Sequence, residues 1–205
     1  MYLPKHFEKA DENVLIYFIR EFPFALIITS KNLELNAEHI PLWVNQHSDN
    51  SFVLQGHVAK SNPLWINGPD NESALIVFQG EDAYISPNWL PSKKENGQVV
   101  PTWNYRSVHV YGVISYIHDA EWKLALLQNL THAHEKDQPT SWTIEDAPRE
   151  FIDKLLPAIV GIEISVTRIQ GKFKMSQNQP SENRRGIAKA LKDTNATMSN
   201  LMDIR

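Results

Sequence analysis

Three short stretches carry side chains able to do chemistry. In GHVAKSNPLW, residues 56–65, a strand-like run ends at Gly56 and His57, and a turn then presents Lys60, Ser61 and Asn62 together. An ammonium, a hydroxyl and the free N–H groups of a helix start make a compact anion cradle. The lysine acts there as a point charge and the serine as a donor. The same residues also suit a surface turn capped by Asn62 ahead of Pro63. In NAEHIPLW, residues 36–43, His39 stands two residues from Pro41. Proline inside a strand implies an edge or a bulge. A bulge at a barrel rim turns backbone groups toward a ligand; a core histidine satisfied by the backbone is the plain alternative. In VVPTWNYRSVHVYG, residues 99–112, Trp103, Asn104 and Tyr105 offer stacking area and hydrogen-bonding groups at one strand end. They suit a flat heteroaromatic ligand, or else an aromatic core or a dimer contact.

Other clusters carry less. In KFKMSQN, Lys172 and Lys174 alternate with Phe173 and Met175, so both amines project to one side, as on a solvated strand face. His132 and His134 in THAHE are two apart and face different ways on a helix, so they cannot chelate one ion as an i, i+4 pair would. Cysteine is absent, which excludes disulfides, thiolate metal sites and a cysteine nucleophile. No functional metal is expected. There is no G-x-S-x-G, H-E-x-x-H, Walker loop or G-x-G-x-x-G, and the eight glycines form no phosphate-binding loop. No side chain stands out as a necessary acid or base, so no catalytic residue is assigned. The formal net charge of -4 makes the whole molecule a poor partner for nucleic acid, and any anion site must be local.

These residues need a scaffold. The 205 residues, 42% hydrophobic and 21% charged, suit one large soluble domain or a domain with appendages. No apolar run approaches a membrane span, and the charged N-terminus lacks a signal core, so a cytoplasmic protein is expected. Without a secretory route, the Asn-x-Ser/Thr triplets at Asn71, Asn129 and Asn195 are coincidences. Asp11 can cap a short helix whose apolar face is Val14, Leu15, Phe18 and Ile19. FALIITS, 24–30, reads as a buried strand, and LELNAEHIPLWV, 33–44, as its hairpin partner. FVLQGH, SALIVFQG and AYIS read as further strands, with NGPDNE and PNWLPSKKENGQ as loops. The 99–112 stretch continues as a long strand to His118. Asp119 caps a helix with Trp122, Leu126 and Leu130 on one stripe, and EDAPREFIDKLLPAI forms a second. GIEISVTRIQG alternates as a strand, and KFKMSQN follows as another short one. Strands do not alternate regularly with helices, so a doubly wound sheet is unsuitable. A mainly β, α+β architecture fits: a small closed or half-open antiparallel barrel of about six to seven strands with peripheral helices. Residues 1–178 would form this domain and 179–205 a polar helical tail.

Taken in order, MYLPKHF, GHVAKSNP, AYISPNW, VPTWNY followed by VHVYG, GIEI and GKFKMSQN resemble the PaiB-like proteins. These belong to the FMN-binding split-barrel group, with pyridoxamine-phosphate-oxidase-like proteins and flavin reductases. The resemblance covers residues 1 to about 178. It implies a split barrel, FMN as cofactor, and a homodimer with flavin sites between subunits. It places the FMN phosphate near Lys60, Ser61 and Asn62, with Lys60 where many relatives have arginine, so that a point charge replaces a fork. It puts His39 and His57 along the flavin, sets Trp103, Asn104 and Tyr105 against its ring or ribityl chain, and offers Lys174, Ser176 and Gln177 from the partner chain. SENRRGIAKAL also resembles the family, except that Gln179 stands where arginine is common. The implied activity is that of a flavin reductase or small FMN-dependent oxidoreductase with a nicotinamide electron donor. The family name implies instead a negative transcriptional regulator of protease synthesis and sporulation. Arg184, Arg185, Lys189 and Lys192 would then face DNA, but they read better as a solvated face.

Overall fold

A computed structural model of the protein describes residues 1–48, 51–67 and 72–202. Most of the NGPDNE loop, Asn71 of the first triplet and the last three residues of the tail lie outside them. The described chain forms an α+β fold built on one antiparallel eight-stranded sheet with flanking helices. Its strands are β1 (Glu8–Lys9), β2 (Phe24–Lys31), β3 (Glu34–Pro41), β4 (Trp43–Gln46), β5 (Phe52–Ala59), β6 (Glu72–Ile85), β7 (Thr102–Ile117) and β8 (Ile159–Lys174). They lie in the order β3-β2-β6-β7-β8-β5-β4, with β1 paired to β8. The helices are α1 (Glu12–Glu21), α2 (Pro63–Asn67), α3 (Ser92–Asn96), α4 (Ala120–Glu135), α5 (Arg149–Leu155), α6 (Ser181–Leu191) and α7 (Ala196–Leu201).

Eight strands stand where six or seven are expected, and the divisions differ. SALIVFQG and AYIS are one strand, β6, which runs extended through residues 80–82. The 159–174 run is likewise one strand, β8. Gly171 does not break it: the glycine lets the strand pass beneath Leu15, whose side chain a Cβ would strike, and beside Lys9 O at 3.1 Å. The expected single strand 33–44 is instead two, β3 and β4, parted at Leu42, whose N–H bonds Pro23 O at 2.9 Å.

The chain falls into two compact units: residues 1–18, 79–108 and 170–205, and residues 19–78 and 109–169. Each of β6, β7 and β8 contributes residues to both. In the first unit the tail is more than polar. Ile187, Leu191, Met198 and Met202 of its helices pack with Ala83, Ile85 and Leu90, all buried. Each such side chain contributes roughly 1.5–3 kcal/mol of burial. Asn195 caps α7 through Met198 N–H at 3.0 Å and donates to Asp82 O at 3.1 Å.

In the second unit, Ala25, Ile27, Ile76, Leu54, Val110, Ile114, Ile162 and Ile164 supply the core from alternate positions of their strands. Asp119 caps α4 as its sequence predicts, accepting Trp122 N–H at 2.7 Å. Trp122 lies over Gly161 so closely that any side chain there would collide with the indole. Leu126 and Leu130 are buried, as the stripe predicts. The buried Lys123 ties α4 down by donating to Leu156 O at 2.7 Å and Ile159 O at 3.2 Å. No helix among the described residues is long and apolar enough to cross a membrane.

Candidate functional site

The second unit holds five of the eleven sequence-derived candidates. β5 ends at Ala59, and the chain turns through Lys60, Ser61 and Asn62 into α2. The turn is pinned at three points: Lys60 N–H donates to Ala158 O at 2.8 Å, Asn62 N–H to Ala59 O at 2.9 Å, and Trp65 Nε1–H to Lys60 O at 2.8 Å. Asn62 Oδ1 accepts Leu64 N–H at 2.8 Å. Its side chain therefore caps α2, the alternative role the sequence left open, and one of the N–H groups expected to be free is taken. Lys60 and Ser61 remain exposed, with no side-chain partner among the described residues. A rigid backbone thus presents one ammonium and one hydroxyl to solvent.

His57 lies three residues before Lys60 and directly opposite Gly161 on β8. It is half-buried, and burial pushes its imidazole below the ordinary range. Its Nδ1 is enclosed without a hydrogen-bond partner among the described residues. Buried polar atoms are normally satisfied, so such an orphan marks a place for an absent donor or acceptor. His39 is different. It is exposed on the edge strand β3 and stacks on Phe24, ring centres 5.7 Å apart.

The first unit holds the other six, and strand alternation divides them. Asn104 is fully buried; it donates to Met202 Sδ at 3.4 Å and accepts from Ser176 Oγ at 2.9 Å. It belongs to the core, away from its neighbours. Trp103 is 53% exposed and meets Tyr84 edge-on at 5.9 Å. Tyr105 is half-buried, with the Lys172 ammonium 5.5 Å from its ring centre. Lys174 donates to Thr102 Oγ1 and, at 2.6 Å, to Trp103 O. Gln177 closes a local turn, accepting Met175 N–H at 2.6 Å and donating to Phe173 O. Ser176 and Gln177 are thus engaged within their own chain.

One group escapes the sequence reading and another departs from it. His109 on β7 is half-buried, its imidazole pushed down by burial, and its Nδ1 also lacks a partner. Its signal was a lone titratable residue at an alternate position in an apolar strand. Lys172, expected on a solvated strand face, is instead 9% exposed and donates to Tyr2 O at 3.1 Å, with the Tyr2 ring 5.4 Å away. Among the described residues no group of three or more His, Asp or Glu side chains is placed to hold a metal ion.

Comparison with known proteins agrees with this architecture. The family model described as "Putative FMN-binding domain" matches residues 1–168. "Protease synthase and sporulation protein PAI 2" of Bacillus subtilis is 35% identical over 184 residues, covering 87% of this chain and 83% of its own. An uncharacterized protein of Emericella nidulans is 30% identical over 222 residues, covering 91% and 88%. Among solved structures, the FAD and heme binding protein from Mycobacterium smegmatis superposes with a TM-score of 0.61 at 15% identity, over 89% of this chain and 80% of that one. At that identity the likeness shows the fold: a split-barrel flavoprotein architecture. On its sequence, its fold and its relatives together, the chain belongs to the PaiB-like family of the FMN-binding split-barrel group.

Proposed function

We propose that the protein binds FMN and works as a small FMN-dependent oxidoreductase of the flavin-reductase kind. The observation that carries this is the β5–α2 turn. Its Lys60 and Asn62 N–H groups are taken by the carbonyls of Ala158 and Ala59, and its Lys60 ammonium and Ser61 hydroxyl have no side-chain partner among the described residues. One cation and one hydroxyl suit one terminal phosphate, which favours FMN over a flavin whose phosphate is locked in a pyrophosphate link. The enclosed, unpartnered Nδ1 atoms of His57 and His109 are the kind of vacancy that a ligand's donor or acceptor atoms would fill. Bound FMN would supply the redox chemistry; the chain's own part is to hold the phosphate, orient the ring and exclude water from it.

A homodimer belongs to this reading. On the second unit's outer sheet face, His39, Leu26 and Val77 stand in one row, and Ala37, Ile28 and Leu75 in the next. Phe24 and Leu35 on the same strands are 64% and 77% exposed. An apolar sheet face ending in an edge strand normally has a partner, and a second copy would supply it. Sedimentation showing only monomer at micromolar concentration would count against both the dimer and a shared flavin site.

Transcriptional control, the alternative that the family resemblance implies, draws less support. The chain is net acidic, and α6 buries Asn183, Ile187 and Leu191 in the core of its unit. A sequence-selective gel shift that survives near-physiological salt would reverse this ranking.

The test is a titration with FMN, FAD and riboflavin, read by fluorescence quenching, followed by bleaching of the bound flavin with NADH or NADPH. A charge-assisted hydrogen bond contributes roughly 1.5–3 kcal/mol. Lys60→Ala should therefore weaken FMN by about 10- to 150-fold and leave riboflavin nearly unchanged. Equal FMN affinity in Lys60→Ala and the parent would move the phosphate elsewhere. A parent that binds none of the three would end the flavin reading.

A further inference from the structure

The first unit contains a cavity of about 430 Å³ at the C-terminal end of β8, within the usual size range of small-molecule sites. Its floor is apolar: Ile85, Leu90 and Ile187 are each buried. Lys174, Ser176 and Asn183 are among its polar lining residues. No carboxylate is among its described lining residues.

The wall is set firmly. Asn183 Nδ2 donates to Ser92 Oγ at 2.9 Å and to Gln179 Oε1 at 3.1 Å, and its Oδ1 accepts Ser92 N–H at 3.2 Å. Ser176, held at φ +56°, spends its hydroxyl proton on Asn104. These groups shape the wall and have little left to donate. Lys174 differs. Two of its N–H groups go to Thr102 Oγ1 and Trp103 O, and the third has no acceptor among the described residues.

Behind it on the same side of β8 stands Lys172, buried against the rings of Tyr2 and Tyr105. Neither ammonium has a carboxylate partner among the described residues. Two neighbouring cations, Lys172 buried and Lys174 half-buried, beside a cavity with no acid among its described lining residues, form an electrostatically incomplete arrangement. Burial, and after it the Lys172 charge, pulls the Lys174 amine below the ordinary lysine range, as expected of a cation lacking its counter-ion.

We propose that this cavity binds a small organic carboxylate, its anionic head on the free N–H of Lys174 and its apolar body on Ile85, Leu90 and Ile187. The apolar floor argues against a bare inorganic dianion, which would leave charge facing hydrocarbon. The proposal goes beyond the flavin reading and does not rest on it. Lys174, which the family resemblance offers to a flavin in a second subunit, here serves its own unit.

The experiment is calorimetric titration of the full chain with hexanoate, hexanamide and inorganic phosphate, each with and without saturating FMN. Hexanoate should bind one per chain, about tenfold or more tighter than either comparison compound, with FMN making no difference. Lys174→Met should reduce hexanoate to the level of hexanamide. Should that variant fail to fold, the parent still decides: the Lys174 side-chain resonance should titrate at higher pH when hexanoate is added. Equal binding of hexanoate and hexanamide, tighter binding of phosphate, no binding at all, an unmoved Lys174 titration, or one-for-one displacement by FMN would each overturn the proposal.

Discussion

Arg106 aims both Nε and Nη2 at a single oxygen, Glu81 Oε2, the first at 2.8 Å, and their side chains are only 10% and 16% exposed. The guanidinium also lies 5.1 Å from the ring centre of Phe18 and 5.7 Å from that of Phe173. The two rings in turn stand 5.3 Å apart. This ion pair binds β6 to β7 in the stretch where the sequence, reading Gly80–Glu81–Asp82, suggests a break between two strands. A buried pair need not stabilise more than well-packed apolar residues would, but breaking one by removing a single partner typically costs about 3–5 kcal/mol.

Glu81→Gln should accordingly lower the urea midpoint sharply, as should Arg106→Met. The double change Arg106→Met with Glu81→Leu should recover much of the loss, because no charge is then left buried alone. A double mutant no more stable than the worse single would show that the pair contributes through something other than mutual neutralisation.

The β2–β3 hairpin predicts a gain. Lys31 pairs with Glu34, so Asn32 and Leu33 form a two-residue loop, with φ values of 51° and 69°. A type I′ turn of this kind favours glycine at its second position, and leucine there strains the backbone. Leu33 is 99% exposed and gives up no packing when removed. Leu33→Gly should therefore stabilise the fold by about 1 kcal/mol, measured by chemical denaturation; a loss instead would mean that Leu33 has a partner in solution.

Two histidines set a pH dependence. Burial lowers the folded-state pKa of His57 and of His109 below the unfolded value near 6.5. The unfolded chain then binds more protons across that interval, so stability rises with pH there. Full stability should hold above about pH 6.5. It should fall as the solution is acidified through the folded-state pKa values, and the slope contributed by these two groups should vanish below them. The double variant His57→Gln with His109→Gln should flatten the curve of denaturation midpoint against pH. An unchanged slope would place the titration elsewhere.

Much of this architecture was legible because local signals agreed with tertiary ones. Asp119 caps α4, Leu126 and Leu130 face inward, and the FALIITS strand is β2, all as pattern alone requires. What was not legible came from interactions distant in sequence. A lone Glu81 cannot announce Arg106, so β6 reads as two strands. Gly171 looks like a terminator until Leu15 is seen above it. The tail looks polar because its large apolar side chains that reach the core, Ile187, Leu191, Met198 and Met202, are few and scattered among polar ones. In the candidate site, Lys60 and Ser61 stay exposed on the turn the sequence predicts, whereas Asn62 takes its capping role and His109 has no motif around it. Spacing names which residues share a turn; it cannot say which of their donors are already spent.

The alternation of Trp103, Asn104 and Tyr105 separates structural from ligand roles in one experiment. Asn104 is fully buried and links Ser176 to Met202, so Asn104→Ala should leave the Ser176 hydroxyl without its acceptor. An unsatisfied buried group costs about 1–3 kcal/mol, and the urea midpoint should fall accordingly. Trp103 touches Tyr84 at its edge and is otherwise largely exposed, so Trp103→Ala should change stability by less than about 0.5 kcal/mol. Its effect should appear in binding. If the indole meets the flavin ring or chain, Trp103→Ala weakens FMN and riboflavin alike, unlike Lys60→Ala, which spares riboflavin. Matched denaturation curves and flavin titrations on the three variants read these outcomes. A Trp103→Ala protein with parental affinity for both ligands would return the indole to the surface role of an aromatic contact. A destabilised Trp103→Ala with a stable Asn104→Ala would reverse the assignment of which strand face holds the core.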